Sequence, residues 1–527
     1  MVYYRITNFV DGLNTRDDAR RLKPNTQNQS GAESPEIVNV EVDAAGALIT
    51  SKGFTKYVEL GTGKPVQALF EYKAKEKQQL IAVSDNKIFL VNTVEKTVTE
   101  VGALPVAAKK FGGVSMVTEQ GLVFLLGTDT NKIIQIKDDA TMTTLNNSPQ
   151  GAYIMTVALG RLFVATDTLV QYSAVENPNT WAGDDAGNIS FNDVVTGLGF
   201  ESKRVIVFTR SYHQAIFFDY NDSFNISQPL KEPNERKFGG LGHNCIDKAE
   251  NNIFYLAENL RVYKLGAEEY TDEAGLPRVV AVSDTIDPSL QKINEKFGYK
   301  AIVKYFNKQL FVCVPYNTSS DNNVTFVWNQ QWGSWISRLG FSISGLCKSL
   351  DETENTGLFF GTPANDKIYL FDSSYSYNGQ NYRKTWKSKK YTLGDASVFK
   401  EYKWVDISGA FPSSTTLYVE LTVDTDKVTY VLNNKNLELT SEGGVIGDDF
   451  IGDFFLGGIA PEDSFFKRFK AHLQLPDKIR EGHELQVKIY NKEAGHAWKI
   501  DEIGVDFEPR PRKQRNPRYF VNDILPN

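Results

Sequence analysis

Five histidines, His213, His243, His472, His483 and His496, are the residues best suited to metal binding or proton transfer. None stands at the His-x-His or HExxH spacing that would bring two imidazoles onto one metal ion. They read as isolated hydrogen-bonded or surface side chains. Cys245, Cys313 and Cys347 are far apart, odd in number and without a CxxC pair, which points to buried reduced thiols and not to a disulfide framework or redox site. Asp448, Asp449 and Asp453 lie in a Gly/Asp/Phe-rich loop over 443–458. Clustered carboxylates suit a hard cation, although this spacing matches no recognised calcium loop.

Other motifs stop short of chemistry. Gly61-Thr62-Gly63-Lys64 resembles the end of a phosphate loop, but Val58 stands where the first glycine belongs, and Pro65 replaces the magnesium-binding hydroxyl residue. A turn between strands is the better reading. No Gly-x-Ser-x-Gly elbow occurs; Phe341 to Gly345 comes nearest and lacks the first glycine. The stretch Asn179 to Asp185 holds the residue types of a Ser-x-Asp-x-Gly-x-x-Trp box in another order, once only. Paired carboxylates for glycoside hydrolysis would converge only in three dimensions. Trp328, Trp332 and Trp335 either stack on sugars or pack a core or interface. The sequence therefore predicts no enzyme and assigns no catalytic, cofactor or metal residue.

The elements that would position these side chains are strands. The 527 residues are 12% aromatic, and short Val/Ile/Leu/Phe runs broken by Asn, Asp and Gly recur throughout. One unit repeats: an apolar strand, a polar turn, a second apolar strand. It occurs at Gln79–Val83 with Ile88–Val91, Leu122–Leu126 with Ile133–Ile136, and Arg161–Ala165 with Leu169–Tyr172. It returns at Val205–Phe208 with Ala215–Phe218, Ile253–Leu256 with Leu260–Tyr263, Leu310–Val314 with Val324–Trp328, and Leu358–Phe360 with Ile368–Phe371. Turn centres near Asp85, Thr130, Asp167, Tyr212, Glu258, Asp321 and Ala364 are mostly about 40–45 residues apart, the period of a four-stranded propeller blade. The fold class predicted is all-β: a β-propeller of about seven blades followed by a β-sandwich-like domain.

Four segments follow. Residues 1–35 read as an extended arm, too polar to fold alone, that orders by lying on another subunit or on the propeller. Residues 36–383 read as the propeller, with N-terminal strands within 36–60 available to close the ring. Residues 384–510 alternate with period two, at Leu417–Val423 and Leu485–Tyr490 for example, as a sandwich sheet does. Residues 511–527 form a basic, proline-broken tail. The formal net charge is −7, unlike a protein that clamps nucleic acid. The opening residues lack a signal-peptide pattern, and no apolar run approaches the roughly 18 residues of a membrane span.

Several phrases resemble the tail-hub, tail-nozzle and packaged-DNA-stabilisation proteins of short-tailed bacteriophages. They are Asn8 to Arg16 followed by Leu22 to Pro24, Glu36 to Val42 running through Leu48 to Gly53, Tyr172 to Trp181 continuing to Phe191, and Phe208 to Arg210 leading into Ala215 to Phe217. They cover the first half of the chain and hardly touch the C-terminal domain. The resemblance implies a structural virion protein, assembled in the host cytoplasm as a six-membered ring in the tail. Such a ring continues the DNA channel below the portal and adaptor proteins, retains packaged double-stranded DNA without reading its sequence, and seats fibres, a spike or a needle. The competing expectation is a carbohydrate-binding or glycan-cleaving propeller acting in host-receptor recognition.

Overall fold

A computed structural model describes residues 2–23, 32–73, 78–183, 185–201, 204–218, 224–226, 238–249, 251–271, 277–412, 414–435, 437 and 466–510. Six four-stranded antiparallel units follow one another along the chain, with first strands Val66–Lys73, Phe111–Thr118, Ile154–Ala158, Val195–Glu201, Ile246–Ala249 and Ile302–Phe306. A seventh is built from Gly345–Leu350, Thr356–Gly361 and Lys367–Phe371, and its fourth strand is Phe54–Glu59, from the other end of the ring sequence. Each first strand packs beside the first strand of the next unit, and Gly345–Leu350 packs back on Val66–Lys73. The result is a closed seven-bladed propeller, latched by an N-terminal strand as the sequence anticipates.

The apolar pairs that define the repeat are the two middle strands of each blade. Burial on both faces explains their continuous apolar character: Ile81, Val83, Ile88, Phe124, Leu126 and Ile134 pack between blades one and two. The first hairpin turns through Asp85 and Asn86, both with positive φ, joining Ser84 to Lys87 as a two-residue loop. The innermost strands are poorer in large side chains because neighbouring blades converge there. A Cβ on Gly112 would fall 1.8 Å from the carbonyl oxygen of Tyr153, and one on Gly345 would fall 2.7 Å from the amide nitrogen of Leu69.

The C-terminal region adds two sheets. One has the order Lys467–Gln474, Phe399–Phe411, Lys499–Arg510, Leu48–Thr50, Val40–Val42, with Val2–Ile6 also paired to Lys499–Arg510. The other continues blade six without a break: Ser334–Ile343 pairs with Glu36–Val38, then come Lys384–Lys387, Leu485–Asn491, Leu417–Val423 and Asp426–Leu432. Nine strands thus form one sheet running from the ring into the sandwich. A single apolar core reaches from Phe254, Phe311 and Trp335 to Trp386, Val487 and Trp498.

Two expectations change. The strands over 36–50 belong to the sandwich sheets and not to the ring: Glu36–Val38 joins blade six to Lys384–Lys387, while Leu48–Thr50 pairs with Lys499–Arg510 and with Val40–Val42. The opening 35 residues, where they are described, lie on the sandwich as well as on the propeller. Val2–Ile6 is a strand, Phe9, Leu13, Leu22 and Ala32 are buried, and Gly12–Leu13 pairs with Glu33–Ser34. Their polar composition is offset by the chain's own surfaces, through Arg20 on Glu484 and the Thr15 amide on the Thr285 carbonyl.

Candidate functional site

Two places concentrate polar chemistry: the seam between ring and sandwich, and the centre of the ring. At the seam, Asn39 has φ 53° and is buried. Its Nδ2 donates to the carbonyls of Leu339 (3.1 Å) and Arg383 (2.6 Å), while its Oδ1 accepts from the Leu339 amide (3.0 Å) and the Tyr377 hydroxyl (2.7 Å). One side chain therefore ties a blade-six strand, the entry to the sandwich and the loop after blade seven. Nearby, the buried Arg338 guanidinium pairs with Asp372 at 3.0 Å and approaches Glu41 at 3.7 Å, with the rings of Phe311 and Phe371 below 6 Å. Burial would lower the Arg338 pKa, yet Asp372 and Glu41 outweigh it and hold the group charged. Phe54, in the latch strand, stacks on Tyr377 at 4.7 Å, and Tyr377 stacks on Tyr382 at 4.1 Å.

Beside the seam, charged side chains hold the sandwich itself together. The Lys384 amine donates to the carbonyls of Glu493 (2.7 Å) and His496 (2.9 Å), and burial pushes its pKa down to about 7. Glu484 receives both Arg20 and Lys390, each at 2.6 Å. Burial alone would raise the Glu484 carboxyl, but these hydrogen bonds prevail and hold it below the usual range.

At the ring centre, the starts of the innermost strands enclose a cavity of about 840 Å³. Its charged lining is nearly balanced. Lys304 pairs with Asp247 at 3.0 Å, Lys300 with Asp321 at 2.9 Å, and Arg210 approaches Glu258 at 3.9 Å. Burial would lower Lys304, but Asp247 overrides it and keeps the ammonium protonated. Lys109 and Lys110, just before the innermost strand of blade two, have no carboxylate within ion-pair distance among the described residues. The Lys110 ammonium donates to the Tyr153 hydroxyl at 3.3 Å and lies 5.1 Å and 5.5 Å from the ring centres of Tyr153 and Tyr299. Nothing in the sequence marks these four residues, since Lys109, Lys110 and Tyr153 belong to connecting segments, Tyr299 to the short 3-10 helix Glu295–Lys300, and together they form no motif.

The residues singled out from sequence are dispersed. His213 is buried among Phe208, Phe238 and Tyr255, and burial pushes its pKa down to about 3. His243 borders the central cavity, accepts at Nε2 from the Met155 amide (3.5 Å), and is pushed down to about 4 by burial. His472 meets Asp406 at 2.6 Å, His483 meets the Ala396 carbonyl, and His496 accepts from the Thr416 amide. Among the described residues no group of three or more His, Cys, Asp and Glu side chains forms a metal site. The three cysteines are buried free thiols, and burial raises each one's pKa, that of Cys313 to about 12. Asp448, Asp449 and Asp453 lie outside the described residues, as does the tail over 511–527.

Gly61 to Lys64 is the turn joining the latch strand to blade one. The Gly63 amide donates to Asp366 Oδ2 at 2.8 Å, so a carboxylate already occupies the donor a phosphate would need. The tryptophan platform does not form. Trp328 and Trp335 are core residues with ring centres 6.5 Å apart, Trp335 Nε1 donates to the Val282 carbonyl at 2.7 Å, and only Trp332 is half-buried. Trp181 donates to the Pro178 carbonyl, and Asp185 pairs with Arg161, so that stretch is a braced loop.

No family model matches the chain, and no curated protein matches it. Among solved structures it is similar to the N-terminal domain of Nup159, at 9% identity and TM-score 0.40, over 65% of this chain and 100% of that one. It is also similar to U3-55K, at 7% identity and TM-score 0.39, over 63% and 99% of the two chains. The assignment as a propeller rests on the strand pairings above. Among the described residues no helix is long and apolar enough to cross a membrane.

Proposed function

We propose that this chain is a structural virion protein of a tailed bacteriophage, a subunit of a tail hub or nozzle. Several copies, six on the sequence resemblance, form a ring that continues the DNA channel below the portal and adaptor. The ring retains packaged DNA and seats fibres, a spike or a needle. The observation that carries this reading is the nine-stranded sheet joining propeller and sandwich, with Asn39 and Arg338 across the seam. Two modules joined by a hinge would serve a binding protein as well; two modules fused through backbone hydrogen bonds suit a load-bearing block.

The electrostatics agree. A cavity of about 840 Å³ is the size of a small-molecule site, so a duplex runs between copies and not through one propeller. A net charge of −7 gives no overall attraction for a polyanion, and each phosphate contact would slow a sliding duplex. The chain performs no reaction of its own in this reading. Light scattering on the purified protein, alone and with portal–adaptor complexes from the same particle, tests assembly directly. A closed oligomer in either mixture is expected; a monomer in both would overturn the reading.

A further inference from the structure

We propose that the cavity at the ring centre is a binding site for a hydroxylated monocarboxylate, the class that includes uronic-acid sugars. The charge balance of the lining selects this class. Three of its acids, Asp247, Glu258 and Asp321, face Lys304, Arg210 and Lys300. Among the described lining residues that leaves Lys109 and Lys110 against the exposed Glu295 at the rim, a surplus of one positive charge. A monoanion matches that surplus. A phosphate, carrying close to two charges, would exceed that surplus and leave the lining with net negative charge around it.

The aromatic lining narrows the class further. Tyr153 and Tyr299 flank the Lys110 ammonium, and Tyr299 is 39% exposed. A sugar ring presents C–H groups to such faces and hydroxyls to the Tyr153 hydroxyl, while its carboxylate meets the lysines. The volume accommodates a compact ligand of one to a few rings. Entry is from the ring end where the innermost strands begin, since Lys109, Tyr153 and Tyr299 all precede those strands. This site is separate from the tryptophans, and its occupancy does not depend on whether the chain forms a tail ring.

Isothermal titration of the full chain with glucuronate tests the assignment, with glucose, glucose 6-phosphate and a short poly-aspartate peptide as comparators. An oligogalacturonide distinguishes a free sugar acid from the acidic unit of a polysaccharide, and saturable binding of either acid supports the site. Glucuronate or the oligogalacturonide should saturate, with glucose at least about tenfold weaker. The double variant Lys109→Ala/Lys110→Ala should lose at least about tenfold in affinity while keeping the parent's circular dichroism and melting temperature, because neither lysine is buried. Tyr153→Phe should weaken binding by a smaller factor. The proposal is overturned if neither acid saturates, if the double variant binds as the parent does, or if only the phosphate or the peptide binds.

Discussion

Asn39 occupies the left-handed region inside a Val-Asn-Val run and gives both its amide groups to partners from three parts of the chain. Asparagine tolerates that backbone, and alanine would pay for it while removing a hydrogen-bond partner from four groups, the buried Tyr377 hydroxyl among them. Asn39→Ala should therefore cost on the order of 3–5 kcal/mol in denaturant unfolding. An Asn interrupting a β run is a legible turn signal, but its partners, some 300 residues away in sequence, are not. His213 makes a second prediction at this scale. Its folded pKa is about 3 against the ordinary 6.5, so below pH 6.5 the unfolded chain takes up a proton that the native ring refuses. Stability is complete above that pH and declines as pH falls toward the folded value. His213→Phe fits the surrounding Phe208, Phe238 and Tyr255 and should reduce the stability loss between pH 7 and pH 5 by about 2 kcal/mol. An unchanged pH slope in the variant would count against a neutral buried imidazole.

At the scale of elements, the middle strands of the blades were readable because burial on both faces demands uninterrupted apolar runs, as in Leu310 to Val314. The innermost strands were faint because crowding at the ring centre admits glycine, as at Gly112 and Gly345. The closing strand Phe54–Glu59 was foreseen in kind, since a ring needs its open edges removed. Its neighbours over 36–50 went to the sandwich, and nothing in their composition separates the two destinations. Closure can be tested through Val58, which is buried between the last and first blades. Val58→Asp places a carboxylate in that apolar contact and should cost about 2–4 kcal/mol, with faster hydrogen exchange in Lys367–Phe371. Val117, 61% exposed, supplies the control: Val117→Asp should change stability by less than about 0.5 kcal/mol.

For the whole molecule, the distinction that matters is between two tethered domains and one block. The period-two pattern after residue 384 correctly announced a second β module, but sequence periodicity carries no information on whether two modules share hydrogen bonds. The nine-stranded sheet, the single core from Phe311 to Trp498, and the opening strand Val2–Ile6 paired with Lys499–Arg510 make this chain one block. The central cavity was likewise invisible, because its lysines and tyrosines come from different blades and meet only when the ring closes. An image of the assembled particle at a resolution that separates strands tests the central claim most directly. Seven-bladed rings with fused sandwiches, repeated about the DNA axis below the portal and adaptor, are the predicted result. Particles lacking the chain, or carrying it without symmetry about that axis, would contradict the account.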